Sequence, residues 1–169
     1  MNRTLLLGAS LAAALALGLP SFAQDKASQT FIKQAIEANR AMVEMGQLAQ
    51  KNGGSEGVRS FGQMLERDHN DALQKSTTAA NSLGVTPPTA PNSKQKSMYE
   101  RMSKLTGTNF DDAFVRDMIA DHKKDVSEYE SEAKKNDAAG SYAKEELPVM
   151  QKHLQTAESL SRAQTTGKR

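Results

Sequence analysis

Apolar residues recur at steps of three and four positions through four long stretches of this chain, which is the period of an amphipathic helix. We predict helices over residues 28–51, 55–83, 108–135 and 138–162. The β-branched residues are scattered and no stretch alternates steadily between apolar and polar residues, so no strand is predicted. This pattern restricts the chain to an all-α fold built from four long helices.

Glycine, asparagine and proline mark the connections between these helices. Asn52-Gly53-Gly54 ends the first helix and Asn136-Asp137 separates the third from the fourth. Residues 85–91 carry three prolines and cannot be helical, and a shorter helix over residues 93–105 follows them. Short turns predict that the first and second long helices form one antiparallel hairpin and that the third and fourth form another. The long connection between the hairpins predicts a ferritin-like four-helix bundle with one crossover that carries the short extra helix.

The ends of the predicted helices carry recognisable signals. Ser55 is the predicted N-cap of the second helix, and Thr108 and Asp111 are predicted to form a capping box at the start of the third. Pro148 lacks an amide proton, so the fourth helix is expected to kink or to restart there. Residues 163–169 are polar and are expected to be a frayed tail.

The first 23 residues have the pattern of a secretory signal. Arg3 supplies a positive charge, residues 5–17 an apolar run, and Ser21-Phe22-Ala23 a cleavage sequence of the small-x-small type. The apolar run is too short for a good membrane span. We therefore predict an exported protein without a stable membrane span after removal of the signal, periplasmic or else extracellular, with residues 24–169 as a single domain.

Composition excludes several other classes of protein. The net charge is +2, acidic and basic residues alternate without a basic stripe, and tryptophan is absent, so no nucleic-acid partner is expected. The chain has no cysteine, so its stability must come from packing and not from disulfides. No glycine-rich phosphate loop or nucleophile elbow is present, which gives no indication of an enzyme. A protein partner or a homodimer stays open.

Three histidines carry the chemistry that this sequence suggests most directly. His69, His122 and His153 fall on or beside the apolar faces of three different helices. If these faces converge, three neutral imidazoles could hold a transition-metal ion such as zinc, copper or iron, since imidazole suits all of them. Three carboxylates on the same helices could be further ligands or hydrogen-bond partners of such a site. They are Glu66, Asp121 and Asp125.

The spacing of these residues does not give a complete di-iron site. Such sites in ferritin-like bundles need a Glu-x-x-His pair on each of two helices, because residues three apart share a helix face. Glu66 and His69 form one such pair, but Met150 stands three residues before His153 and Ile119 three residues before His122. A ferroxidase is therefore not expected, and a mononuclear site is easier to build from these residues than a di-iron site.

Three motifs in order resemble those of one protein family. They are residues 61–69 (FGQMLERDH), residues 110–122 (FDDAFVRDMIADH) and residues 147–154 (LPVMQKHL). Together they resemble the DUF4142 family of exported bacterial proteins over about residues 30–160. The resemblance implies a ferritin-like helical bundle and, by analogy, metal or oxidative-stress chemistry. It also implies an acid just before Val43, where this chain has Met42.

Two interpretations of function follow from these residues. In the first, the protein binds a transition metal through the inward histidines in a stress-protective role; thioethers such as those of Met42, Met118 and Met150 would favour cuprous copper but also serve to fill a core. In the second, the histidines are purely structural and the protein is a non-enzymatic envelope scaffold that binds a partner. A third use of clustered imidazoles, sensing acid, follows from their pKa near 6.5.

Overall fold

Five helices form the regular structure of residues 22–167, the part of the chain that the computed structural model describes. They are α1 (Phe22–Asn52), α2 (Glu56–Ser82), α3 (Ser93–Met102), α4 (Gly107–Glu132) and α5 (Ala138–Gly167). No strand forms within this range, so the predicted all-α fold is confirmed. The predicted signal lies outside the described residues except for its last two positions, with which α1 begins. Among these helices, none combines the length and the apolar character that crossing a membrane requires.

The four long helices pack as two antiparallel hairpins. In the first hairpin, Gln29 near the start of α1 bonds to the carbonyl of Leu83 just after α2. In the second, the hydroxyls of Tyr129 on α4 and Tyr142 on α5 lie 3.2 Å apart. The hairpins join mainly through α2 and α5. The result is the predicted helical bundle, with α3 lying in the long connection between α2 and α4.

Two apolar clusters fill the interior at different levels of the bundle. The first cluster includes Leu65 on α2, Met118 on α4 and Ala157 on α5. The second includes Ala79 on α2, Tyr129 on α4 and Met150 on α5. On each of these helices the histidine comes between a residue of one cluster and a residue of the other. The fold therefore places a polar layer of histidines between two apolar layers.

The crossing of α1 and α2 depends on two glycines that face each other. A Cβ atom built on Gly46 would lie 2.6 Å from the carbonyl oxygen of Gly62, and one built on Gly62 would lie 2.7 Å from the carbonyl oxygen of Gly46. Both clashes are with backbone atoms, which cannot rotate away. Glycine at these positions thus allows the backbones to approach closely, and this approach brings Asn39 of α1 beside His69 of α2.

The start of α4 differs from the prediction. The helix begins at Gly107 after the N-cap Thr106, which makes no capping hydrogen bond with its side chain, so the capping box predicted at Thr108 and Asp111 was wrong. The Asp111 carboxylate instead accepts hydrogen bonds of 2.8 Å from the backbone N–H groups of Gly54 and Ser55 in the α1–α2 turn. Asp111 therefore forms a contact between the two hairpins and does not cap its own helix.

Other helix ends agree with the sequence or extend it. Ser55 caps α2 as predicted, accepting from the amide of Val58 at 3.3 Å. A capping box does occur in the chain, at Asn92 and Gln95 at the start of α3. Helix α5 runs on through Pro148 without restarting and continues to Gly167, so the predicted frayed tail is helical over residues 163–167.

The glycine contact between α1 and α2 predicts an asymmetric response to alanine. Gly62→Ala should lower the free energy of unfolding by about 1–3 kcal/mol, because the added methyl group pushes against backbone. Gly57→Ala on the same helix should change it by less than about 1 kcal/mol, since its methyl group meets only the flexible tip of Leu160. Urea unfolding of both variants measures the difference, and equal stability of the two would contradict this account of the crossing.

Candidate metal centre

Three imidazole rings from three helices meet in the interior of the bundle. His69 of α2 is 3% exposed, and His122 of α4 and His153 of α5 are fully buried. The ring centroids are 5.2 Å apart for His69 and His153, 5.3 Å for His122 and His153, and 6.1 Å for His69 and His122. One nitrogen from each ring lies within 4.8 Å of those from the other two. The convergence predicted from the helix faces is therefore present.

Asn39 fixes the protonation of the His69 ring. The amide nitrogen of Asn39 donates to the hydroxyls of Tyr142 at 2.9 Å and Ser76 at 3.3 Å. Its amide oxygen is left to accept a hydrogen bond from Nδ1 of His69, also at 2.9 Å. Because Nδ1 carries the proton in this neutral ring, Nε2 of His69 carries a lone pair.

The other two rings are held by a carbonyl and a carboxylate. Nδ1 of His122 donates to the backbone carbonyl of Met118, one turn earlier on α4, at 2.9 Å. Nε2 of His153 donates to Oδ2 of Asp68 on α2, also at 2.9 Å. Arg67 bonds the other oxygen of the same carboxylate at 2.8 Å. Both rings are thus locked in one tautomer, which leaves a lone pair on Nε2 of His122 and on Nδ1 of His153.

The remaining nitrogen of each ring has no hydrogen-bond partner among the residues that the structure describes. These atoms are Nε2 of His69, Nε2 of His122 and Nδ1 of His153, and all three are buried. The opposite edge of each ring is held by its partner, so we assign these three nitrogens to the centre of the cluster. Buried polar atoms rarely lack a partner. Each of the three clustered rings thus has one buried nitrogen with a free lone pair, and three imidazole nitrogens are a donor set that mononuclear metal sites use.

Burial keeps the three rings neutral. Desolvation lowers the pKa of His69 well below its ordinary value, and the neighbouring His153 and His122 lower it further. Desolvation and His153 lower the pKa of His122 to about 3, although its bond to Met118 acts the other way. Desolvation also lowers the pKa of His153, against the opposing effect of Asp68. Neutral imidazole is the form that binds metal, so no proton has to leave first.

The Asp68 carboxyl is ionised beneath this cluster. Its partial burial acts to raise its pKa, but the hydrogen bonds from His153 and Arg67 outweigh that effect and lower it. A carboxylate on the far nitrogen of a metal-binding imidazole fixes the ring and makes its free nitrogen more basic. Asp68 therefore orients the His153 ring, a role that the sequence had suggested for Glu66, Asp121 or Asp125.

The three carboxylates proposed from the sequence lie elsewhere. Glu66 accepts hydrogen bonds from Gln47 at 2.8 Å and Gln50 at 2.6 Å on α1, on the outer side of the α1–α2 pair. Asp121 and Asp125 line a cavity that reaches the cluster at His69. Within residues 26–166, no carboxylate joins the three histidines as a further ligand in this group. The structure therefore brings together the predicted imidazoles but not the predicted acids.

That cavity has a volume of about 360 Å³ and lies between α1, α3 and α4. Met42 and Met150 contribute to its walls beside His69. Met118 is buried in the first apolar cluster and serves the centre through its carbonyl group. All three methionines are buried core residues, and Met42 and Met150 also line the cavity.

Comparison with known proteins gives the family of the chain. A family model described as a domain of unknown function, DUF4142, matches residues 17–160. The chain belongs to the DUF4142 family. No curated protein and no solved structure matches it.

Two residues of the centre were not identified as functional from the sequence. Asn39 was visible as a polar residue on the apolar stripe of α1, which is a signal for a buried hydrogen-bonding role. Asp68 gave no such signal, because it precedes His69 and points about 100° away from it around the helix. Its bond to His153 depends on how α2 is rotated against α5 in this DUF4142 fold.

We expect the metal-free DUF4142 protein to lose stability as the pH falls below about 6.5. Its histidines would take up protons near pH 6.5 when unfolded, whereas in the folded state the pKa of His122 is about 3 and those of His69 and His153 are also lowered. Between these values the unfolded chain binds more protons, so acid favours unfolding. The urea midpoint should therefore be lower at pH 5 than at pH 7.

Two carboxyls act in the opposite direction. Burial raises the pKa of Asp125 to about 7 and also raises that of Asp121, so the folded state holds these protons at a higher pH than the unfolded chain does. Their contribution to stability is lost as the pH rises, and it partly offsets the three imidazoles between pH 5 and 7. His122→Gln should reduce the loss of stability at pH 5. A wild-type midpoint that stays constant or rises on acidification contradicts the assignment of three neutral rings.

Proposed function

We propose that this protein binds one transition-metal ion at the centre of His69, His122 and His153. The observation that carries the proposal is that three buried rings, each with one nitrogen held and the other without a partner, bring one nitrogen each to within 4.8 Å of the others. We further propose that the protein works in the bacterial envelope, in a stress-protective role. The signal-like sequence of residues 1–23 supports that location.

A water molecule would satisfy such a centre less well than a cation. Water has two hydrogens to donate, so it can serve two of the three lone pairs and leaves the third without a partner. An unsatisfied buried acceptor costs about 1–3 kcal/mol. A metal ion accepts all three lone pairs at once. The donor set is therefore better matched to a cation than to solvent.

The ligands favour a late first-row ion. Neutral imidazoles suit zinc, copper, nickel and iron, whereas magnesium and calcium prefer carboxylate and carbonyl oxygens. An ion held by nitrogens at about 2.0–2.1 Å in tetrahedral geometry spaces them about 3.3 Å apart. The nitrogens lie within 4.8 Å of one another, so small movements of the rings complete the coordination. Three protein ligands leave a fourth position for an external group.

Metal binding is tested on the purified full chain with zinc and cuprous copper. We expect one ion per chain by metal analysis and calorimetric titration, and a rise in the unfolding temperature in its presence. His122→Ala should abolish tight binding because it removes one of three ligands. Asn70→Ala, at the exposed neighbour of His69, serves as the control and should bind as wild type. If the wild type, His122→Ala and Asn70→Ala all contain the same amount of metal, whether one ion per chain or none, this centre is ruled out.

The role of Asp68 gives a graded test of the same centre. Asp68→Asn keeps an oxygen that can accept from His153 but removes the negative charge, so metal affinity should fall by about 10–100-fold. Asp71→Asn removes the same charge from an exposed position on α2 and should leave affinity unchanged. Calorimetric titration with zinc compares the two variants. An equal effect of the two substitutions would mean that Asp68 does not act through His153.

The alternative is a non-enzymatic envelope scaffold in which the histidines only pack. It is supported by the single hydrogen bond that each ring already makes and by the apolar clusters on both sides. It provides no partner for the three free nitrogens, and we prefer the metal site for that reason. Under either function, the long connection between α2 and α4 supports a ferritin-like arrangement of the bundle.

A further inference from the structure

The cavity between α1, α3 and α4 joins the protein surface to the histidine cluster. Its outer residues are exposed and include Lys94 and Lys124. Its inner residues are almost fully buried and include His69, Asn39 and Met150. His69 is thus the one histidine of the cluster that borders this cavity. The other two rings have no exposed surface.

Two unpaired carboxyls line the wall of this cavity. Asp121 and Asp125 are four residues apart on α4, so their side chains lie on the same face one turn apart. Both side chains are partly buried, and neither makes a hydrogen bond or an ion pair within the described part of the chain. Unpaired, half-buried carboxyls carry an electrostatic cost that a bound cation would remove.

The positive groups near the cavity do not neutralise this wall. Lys124 is paired with Glu128, its neighbour one turn later, at 2.8 Å. Lys94 acts on Asp121 only through space and makes no ion pair with it. The two carboxyls therefore stay available to a cation that arrives from solvent. His69, whose buried Nε2 has no hydrogen-bond partner, also lines this cavity.

We propose that this cavity is the path by which the metal ion reaches the three histidines, with Asp121 and Asp125 forming a first, weaker cation site on its wall. This inference rests on the proposed function. The carboxylates concentrate hydrated divalent cations in the cavity, and the ion then exchanges its water for the imidazole of His69 and those behind it. The acids therefore govern how fast the centre is loaded more than how tightly it holds the ion.

The rate of loading tests this path, with Co²⁺ alone as the probe because its visible absorption reports nitrogen coordination. In stopped-flow mixing with the full chain, Asp121→Asn/Asp125→Asn should slow association by about tenfold or more, the range that charge focusing provides. Its dissociation constant should change far less. Glu130→Gln removes a charge from an exposed position of α4 outside the cavity and should load as wild type.

A second variant tests the cavity without changing charge. Ala38→Trp places a large side chain on the α1 wall and should also slow association, whereas Ala163→Trp at an exposed position of α5 should not. Wild-type rates in both the double carboxyl variant and Ala38→Trp, with normal Co²⁺ binding, would overturn the path and leave the metal centre standing. Absence of any Co²⁺ signal in the wild-type protein would overturn both proposals.

Discussion

The burial of three neutral imidazoles at one level of the bundle is the constraint on which the site depends. Each ring could be left uncharged in the core because one of its nitrogens has a partner in the protein: an amide oxygen, a backbone carbonyl or a carboxylate. The second nitrogen of each ring remains without one. Apolar clusters above and below supply the packing that holds this layer in place, so the bundle bears the cost of three unsatisfied acceptors.

A hydrogen-bonded network connects the histidine layer to α1, the long helix that contributes no histidine. Asn39 of α1 joins His69 of α2 to Tyr142 of α5, and Tyr142 in turn contacts Tyr129 of α4. All four long helices therefore meet in one polar network. The glycine crossing of Gly46 and Gly62 sets how closely α1 approaches α2 and hence whether Asn39 can reach His69. Backbone packing and ring orientation are thus coupled.

The sequence predicted the parts of this structure that depend on one helix at a time. The faces of His69, His122 and His153 follow from the 3.6-residue period, which does not depend on neighbouring helices. Whether three faces meet at one level depends on loop lengths and helix offsets, which the period does not contain. For the same reason the sequence could not place Asp68 against His153. That contact depends on tertiary packing, and so do the hydrogen bonds of Asp111 to the α1–α2 turn.

The predicted carboxylates lie outside the group of three histidines for a related reason. Glu66 shares a helix face with His69 by spacing, but the face of a helix is wide enough to touch two neighbours. The close approach of α1 presents Gln47 and Gln50 to Glu66, and these amides bind it on the flank of α2. Spacing of three therefore indicates a shared side of a helix and not a shared ligand. Contacts with the neighbouring helix determine which of the two residues points into the core.

Charge balance bears on which ion the proposed centre would hold. A divalent ion on three neutral imidazoles brings two positive charges into the core, and Asp68 beneath His153 offsets one of them. A monovalent ion such as cuprous copper would be balanced by Asp68 alone, and the thioethers of Met42 and Met150 on the cavity wall suit it. A divalent ion needs one more negative charge. The carboxyl of Asp125, whose pKa burial raises to about 7, can supply that charge by ionising when a cation is near. Charge balance is therefore compatible with either a monovalent or a divalent ion at the proposed centre.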